Sequence, residues 1–168
     1  MDELNEFFKI NWTRNLPNIF VLSSKKVLMS LSKQNKEWLT GWTFNNNVYI
    51  LKEKFNLVLK HELCHLFVKI ICKKELPTWL NEGLAKYLSG QYLLDKTPSQ
   101  FANLFSSDLR MVYWESPFAV KLLVEKFGRE KLLELLNLTN KMKFDDAFSR
   151  IYGSRPSLKF FNLLKMAN

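Results

Sequence analysis

Histidine and cysteine are scarce in this sequence, which has two of each among 168 residues. Cys64 and Cys72 fall in one predicted helix, where a spacing of eight residues puts them about 12 Å apart along the axis. A disulfide requires a much shorter separation, so these thiols cannot pair with each other. This excludes a fold stapled by its own disulfide and agrees with a reducing compartment.

Long apolar runs are also missing. The longest apolar segments are interrupted by Lys, Asn or Glu, whereas a membrane-spanning helix needs roughly 20 apolar residues. The chain starts with the acidic stretch MDELNEFF, and no apolar run ending in small residues follows it. No signal peptide is indicated, and we expect a soluble, cytoplasmic protein with no membrane partner.

Arginine makes a small contribution to the positive charge. The formal net charge is +9, but only five of the 25 basic residues are Arg. The lysines are scattered in pairs such as Lys25-Lys26 and Lys73-Lys74, with no basic stripe and no interleaved aromatics. Nucleic-acid surfaces cluster such residues on one face, so we expect no nucleic-acid partner.

What the chain does contain is apolar surface. Hydrophobic residues make up 47% of it, including 14 Phe and 5 Trp, which is enough for a substantial core. No internal repeat, low-complexity run or Gly/Ser/Pro-rich linker divides the sequence. We therefore predict a single domain over residues 1–168.

Hydrophobic periodicity predicts a small sheet followed by helices, which is an α+β fold. Strands are expected at 19–22, 38–44 and 48–51, with a hairpin loop at Asn45, Asn46 and Asn47. Thr78 is predicted to cap one helix that ends at Gly90, and a capping-box pattern at 97–100 predicts another. The helices are expected at 24–35, 55–71, 79–89, after Pro98, 109–127, 130–138, 144–152 and 157–166.

The two histidines stand in the string HELCH at 61–65, inside the predicted helix 55–71. Each helical residue advances about 100°, so His61 and His65 lie about 40° apart on one face. Both imidazoles can therefore reach one ion, and Glu62 projects beside them, where it can take a proton from a metal-bound water.

A catalytic zinc takes three protein ligands, and no further His exists here. The third ligand must then be Asp, Glu or Cys, and Glu82 is the candidate, on a helix joined to the first by a short turn with Pro77. Gly83 and Ala85 would let these two helices approach closely. Cys64 points about 80° away from the histidine mid-line, by the same helical advance, and is assigned to packing.

HELCH followed by LPTWLNEGLAKYLSG resembles the gluzincin branch of the zinc metallopeptidases, most closely the peptidase MA-like domains. The stretch Tyr113-Trp114-Glu115-Ser116 is similar to that family's Tyr-x-x-Ser helix, and the likeness covers about residues 48–164. The resemblance implies a zincin-like fold, with the small sheet packed on the HExxH helix and a mainly helical second half.

It further implies one Zn²⁺ held by His61, His65 and Glu82, with Glu62 as general base and Tyr113 as hydrogen-bond donor to the oxyanion. The activity implied is hydrolysis of a peptide or protein substrate. The Gly-x-Met-Glu-Asn signature of gluzincin aminopeptidases is absent, which favours an endopeptidase. Lys86 stands where thermolysin-like enzymes carry an Asp that supports a ligand, so no residue is assigned to orient the imidazoles.

Two other interpretations stay open. The chain could be a metal-binding scaffold or regulatory protein of zincin fold without turnover, because ligands alone indicate binding and not catalysis. It could also be a regulatory protease that acts on a repressor-type protein.

Overall fold

The computed structural model describes residues 1–167. Its three strands alternate with two helices in the first part of the chain, and helices follow them. The predicted α+β class is confirmed. None of the described helices combines the length and the apolar character needed to cross a membrane. The strands are β1 (Asn18–Leu22), β2 (Gly41–Phe44) and β3 (Asn47–Leu51), and the helices are α1 (Asp2–Phe8), α2 (Lys25–Ser32), α3 (Phe55–Ile71), α4 (Thr78–Ser89), α5 (Leu109–Phe127), α6 (Arg129–Leu138), α7 (Phe144–Tyr152) and α8 (Leu158–Met166).

The chain divides into two compact units, Met1–Phe67 and the residues from Val68 onward. The first unit contains the sheet, in the order β1-β3-β2, with β1 parallel and β2 antiparallel to β3. The predicted hairpin is confirmed, and Asn45 has the left-handed backbone (φ 52°) that such a turn requires. The prediction that a strand begins at residue 38 is wrong, because β2 begins at Gly41.

The two faces of the sheet differ because side chains alternate along each strand. Val48 and Ile50 of β3 are fully buried, and they pair with Thr43 and Gly41 of β2. On the other face, the rings of Trp42 and Tyr49 stack with centroids 5.4 Å apart. Gly41 and Thr43 therefore belong to the buried face.

Helix α3, which carries HELCH, has the predicted bounds. Its residue Phe67 is stacked on Phe8 of α1, with ring centroids 5.5 Å apart, and meets Trp12 edge-on at 5.2 Å. Lys60 of α3 forms an ion pair with Glu3 of α1. The N-terminal segment is thus attached to the helix on which the two histidines lie.

The second unit has an aromatic core built around Trp79 of α4. Trp79 meets Phe161 and Phe148 edge-on, with ring centroids 5.3 and 6.3 Å away, and all three are buried. Gly90 ends α4 with a left-handed backbone (φ 76°), as predicted. The prediction that Thr78 caps α4 is wrong, since Pro77 occupies the cap position and Thr78 is already helical.

The prediction of a helix after Pro98 is also wrong, because the segment between α4 and α5 has no α-helix. Its backbone amides are bonded by side chains instead: Phe101 N–H donates to Asn162 Oδ1 at 2.7 Å, and Asn103 N–H donates to Glu115 at 2.8 Å. Trp114 also donates to Lys96 O at 2.9 Å. These side chains satisfy backbone groups that a helix would otherwise have to pair.

The end of α3 is fixed by Asn140, in the turn that follows α6. Its side-chain amide donates to Ile71 O at 2.8 Å, and its Oδ1 accepts from Lys73 N–H at 2.7 Å. The side chain of Asn140 thereby takes the place of the next helical turn and ends α3 before the connection to α4.

Candidate metal centre

His61 and His65 lie one turn apart on α3, as the HELCH spacing predicts. His61 is only 8% exposed. The two Nε2 atoms are 3.2 Å apart, and the ring planes are nearly perpendicular at 83°. Two N–H groups facing each other at this distance would repel, so at least one Nε2 presents a lone pair towards the other imidazole or towards a shared cation.

Glu82 of α4 completes a three-residue group with the histidines. One donor atom from each of His61, His65 and Glu82 lies within 4.8 Å of the other two. Two imidazole nitrogens and a carboxylate oxygen are donors that many divalent metals accept. These are the three residues that the sequence predicts as ligands, and the group could hold a metal ion.

Glu62 lies next to the first histidine and is buried, with 6% of its surface exposed. Its Oε2 accepts a hydrogen bond from the Thr43 hydroxyl at 2.7 Å. A methyl group on Gly41 would come within 2.5 Å of its Oε1. Two residues of strand β2 therefore surround the carboxylate that the sequence predicts to be the general base. Sequence reasoning missed both residues, since no local pattern links 41 and 43 to 62.

Gly83 follows the third donor and allows a close approach between α4 and α5. A methyl group at Gly83 would lie 2.7 Å from the Ser116 carbonyl oxygen and 2.8 Å from Val120 Cγ2, both in α5. The glycine therefore lets α4 approach α5, whereas the predicted approach to α3 stays a prediction. It fixes the turn of α4 that carries Glu82 within the second unit.

Tyr113 is half-buried on α5, four residues before Pro117, which lies inside the same helix. Proline has no N–H and cannot donate the helical hydrogen bond to the residue four positions earlier. Pro117 therefore makes no backbone hydrogen bond to the Tyr113 carbonyl. The role of Tyr113 as an oxyanion donor stays a prediction.

Lys86, the residue at the thermolysin-like Asp position, forms an ion pair with Asp95 at 2.6 Å. Lys86 lies in the last turn of α4, where its charge is also favourable to the helix dipole. The ion pair attaches the chain that follows α4 to that helix. This side chain supports local structure in the second unit.

Glu115 is a further buried residue to which sequence reasoning gave no role. It is completely buried and accepts hydrogen bonds from Ala102 N–H at 3.1 Å and from the side-chain amide of Asn103 at 3.2 Å, besides the Asn103 backbone bond. The Tyr-Trp-Glu-Ser stretch contains it, but its partners are 12 to 13 residues away in an irregular segment. No periodic signal could have found that contact.

Comparison with family models, with curated proteins and with solved structures found no match to this chain. The resemblance to gluzincins therefore depends on the quoted residues alone.

Proposed function

We propose that this chain is a zinc-dependent metallopeptidase of zincin-like fold that cleaves peptide bonds within a peptide or protein substrate. The observation that carries the proposal is the convergence of His61, His65 and Glu82 to within 4.8 Å. The HELCH order, which sets Glu62 beside the first histidine, supports it. Two His and one Glu make the ligand set of one class of catalytic zinc sites.

The spacing of the two imidazole nitrogens is compatible with zinc. In a tetrahedral site with zinc–nitrogen bonds of 2.0 to 2.1 Å, two ligating nitrogens are about 3.3 Å apart. The Nε2 atoms of His61 and His65 are separated by 3.2 Å.

In the proposed reaction, the chain's own residues move the protons. A zinc ion held by His61, His65 and Glu82 would supply Lewis-acid chemistry, polarising the scissile carbonyl and easing deprotonation of water. The carboxylate of Glu62 accepts a proton from the attacking water and later delivers it to the leaving amine. The Tyr113 hydroxyl donates a hydrogen bond to the oxygen on which negative charge develops.

The substitution that tests this role is Glu62→Gln, which keeps the shape of the side chain and removes its basicity. We expect the zinc content to stay near one ion per chain while cleavage of a peptide library falls by about 100-fold or more, as for loss of a general base. Metal analysis and mass spectrometry of the digest measure both quantities. Glu53→Gln, an exposed change just before α3, is the matched control and should cleave like the wild type.

The same experiment separates the proposal from its alternatives. Equal cleavage by wild type and Glu62→Gln would remove Glu62 from the mechanism. Zinc-loaded wild-type protein that cleaves no peptide at any pH would instead indicate a scaffold or regulatory protein. Cleavage confined to one folded protein, with the library intact, would indicate a regulatory protease of the repressor-cleaving kind.

We also propose a cytoplasmic location. Cys64 and Cys72 are buried thiols outside any disulfide, which agrees with a reducing compartment.

A further inference from the structure

The two oxygens of the Glu62 carboxylate each face a different residue of strand β2. Thr43 Oγ1 lies 2.7 Å from Oε2 and 3.3 Å from the Glu62 carbonyl oxygen. The hydroxyl has a single proton, and the shorter contact, to the charged acceptor, is the stronger of the two. Thr43 therefore donates to the carboxylate.

Gly41 acts on the other oxygen by leaving space. A methyl group there would lie 2.5 Å from Glu62 Oε1 and 2.5 Å from Val58 Cγ1. Any side chain larger than hydrogen would push the carboxylate or Val58 aside. The absence of a side chain at position 41 thus permits the present position of Oε1.

Both contacts come from a part of the sheet that is itself firmly held. Gly41 and Thr43 pair with Ile50 and Val48, which are completely buried. Strand β2 is therefore held by the close-packed core of the first unit. Gly41 and Thr43, which contact Glu62, have fixed positions for the same reason.

We propose that Thr43 and Gly41 are positioning residues that hold the Glu62 carboxylate in its working orientation. Thr43 fixes the carboxylate by a hydrogen bond to Oε2, and Gly41 provides the space for Oε1. This inference rests on the proposed function, in which Glu62 transfers the proton. A general base works only when its oxygen meets the proton in the right geometry.

The test compares Thr43→Val, which removes the hydroxyl but keeps the shape, with Thr43→Ser, which keeps the hydroxyl. We expect Thr43→Val to lower kcat by about 10-fold to 100-fold, the cost of a misplaced catalytic group, with KM and zinc content unchanged. Thr43→Ser should return kcat to within about threefold of wild type, since the hydrogen bond is kept. Thr40→Val, three residues earlier and outside the contact with Glu62, is the control and should behave like wild type.

Crystal structures of the same variants give a readout that needs no activity. The Glu62 carboxylate should rotate away from its wild-type position in Thr43→Val and keep that position in Thr43→Ser. Should Thr43→Val fail to fold, Gly41→Ala takes its place, because the added methyl group should displace Oε1 and lower kcat in the same way.

Three results would overturn the inference: a carboxylate that stays in place in Thr43→Val, a kcat equal to that of Thr40→Val, or a Thr43→Ser as impaired as Thr43→Val. If the zinc-loaded wild type cleaves no peptide, the proposed function fails. The crystal structures then decide the positioning alone.

Discussion

Among the described residues, Glu62 and Glu115 are the buried glutamates, and the hydrogen-bond donors described for them are different. Glu115 is bound by nitrogen donors, from the backbone of Ala102 and Asn103 and from the Asn103 side chain. Glu62 is bonded by the hydroxyl of Thr43. An amide N–H can only donate, whereas a hydroxyl donates to a carboxylate and accepts from a carboxylic acid.

The difference separates a structural carboxylate from one suited to proton transfer. The N–H groups around Glu115 can only donate, so they hold its carboxylate as an acceptor. The hydroxyl of Thr43 can rotate and remain bonded to Glu62 in either protonation state. The first unit thus holds the carboxylate proposed to react, and the second holds one that anchors an irregular segment.

The largest effect on stability is expected from the loss of the hydrogen bonds that N–H groups of Ala102 and Asn103 donate to Glu115. Glu115→Gln places an NH₂ group among N–H donors and removes the charge that they stabilise, so the free energy of unfolding should fall by about 2–4 kcal/mol. Urea unfolding followed by fluorescence measures this. Glu134→Gln, on the exposed side of α6, is the control and should change stability by less than about 0.5 kcal/mol. Equal stability of the two variants would show that Glu115 does not anchor the irregular segment before α5.

A smaller effect should distinguish the glycines of the two regions. Gly83→Ala meets the Ser116 carbonyl oxygen, which is backbone, and should lower the free energy of unfolding by about 1–3 kcal/mol through overpacking. At Gly41→Ala the nearest atoms are side-chain atoms of Glu62 and Val58, which can move, so this variant should cost less stability. Thermal unfolding of both variants gives the ranking, and the reverse order would contradict the contacts described for the two glycines.

The smallest effect concerns a third buried acid, the thiol of Cys72. It donates to Leu136 O at 3.5 Å, and burial raises its pKa even though Thr139 opposes the shift. Because the folded state favours the neutral thiol, its contribution to stability is present below the pKa of the unfolded thiol and is lost as pH rises above it.

The rate at which iodoacetamide alkylates the two thiols measures how far burial protects them from reaction. At neutral pH, Cys72 and the equally buried Cys64 should react at least about 100-fold more slowly in the folded protein than in urea, because reaction requires opening of the core. Rapid alkylation of the folded protein would show that the thiols are accessible.

Local patterns predicted much of this molecule. Helices α3, α5 and α7 have the bounds expected from hydrophobic periodicity, since each has a long apolar face and a clear stop. The convergence of His61, His65 and Glu82 followed from helical spacing and a short connection. These features depend on residues close together in sequence, or on one helical face, and such information is present in the chain itself.

The predictions that were wrong and the residues that were missed depend on contacts between distant parts of the sequence. The capping-box pattern at 97–100 did not start a helix, because side chains more than ten residues away take the backbone amides of Ala102 and Asn103. The roles of Gly41 and Thr43 also depend on a contact across about 20 positions between a strand and a helix. Tertiary contacts of this kind override local propensity and leave no periodic trace.

The most direct test of the central claim is an anomalous-difference map at the zinc edge from crystals grown with zinc. We expect one strong peak within bonding distance of the Nε2 atoms of His61 and His65 and of the carboxylate of Glu82. A map without a peak between the two imidazoles, or with zinc bound to other residues and Glu82 turned away, would contradict it.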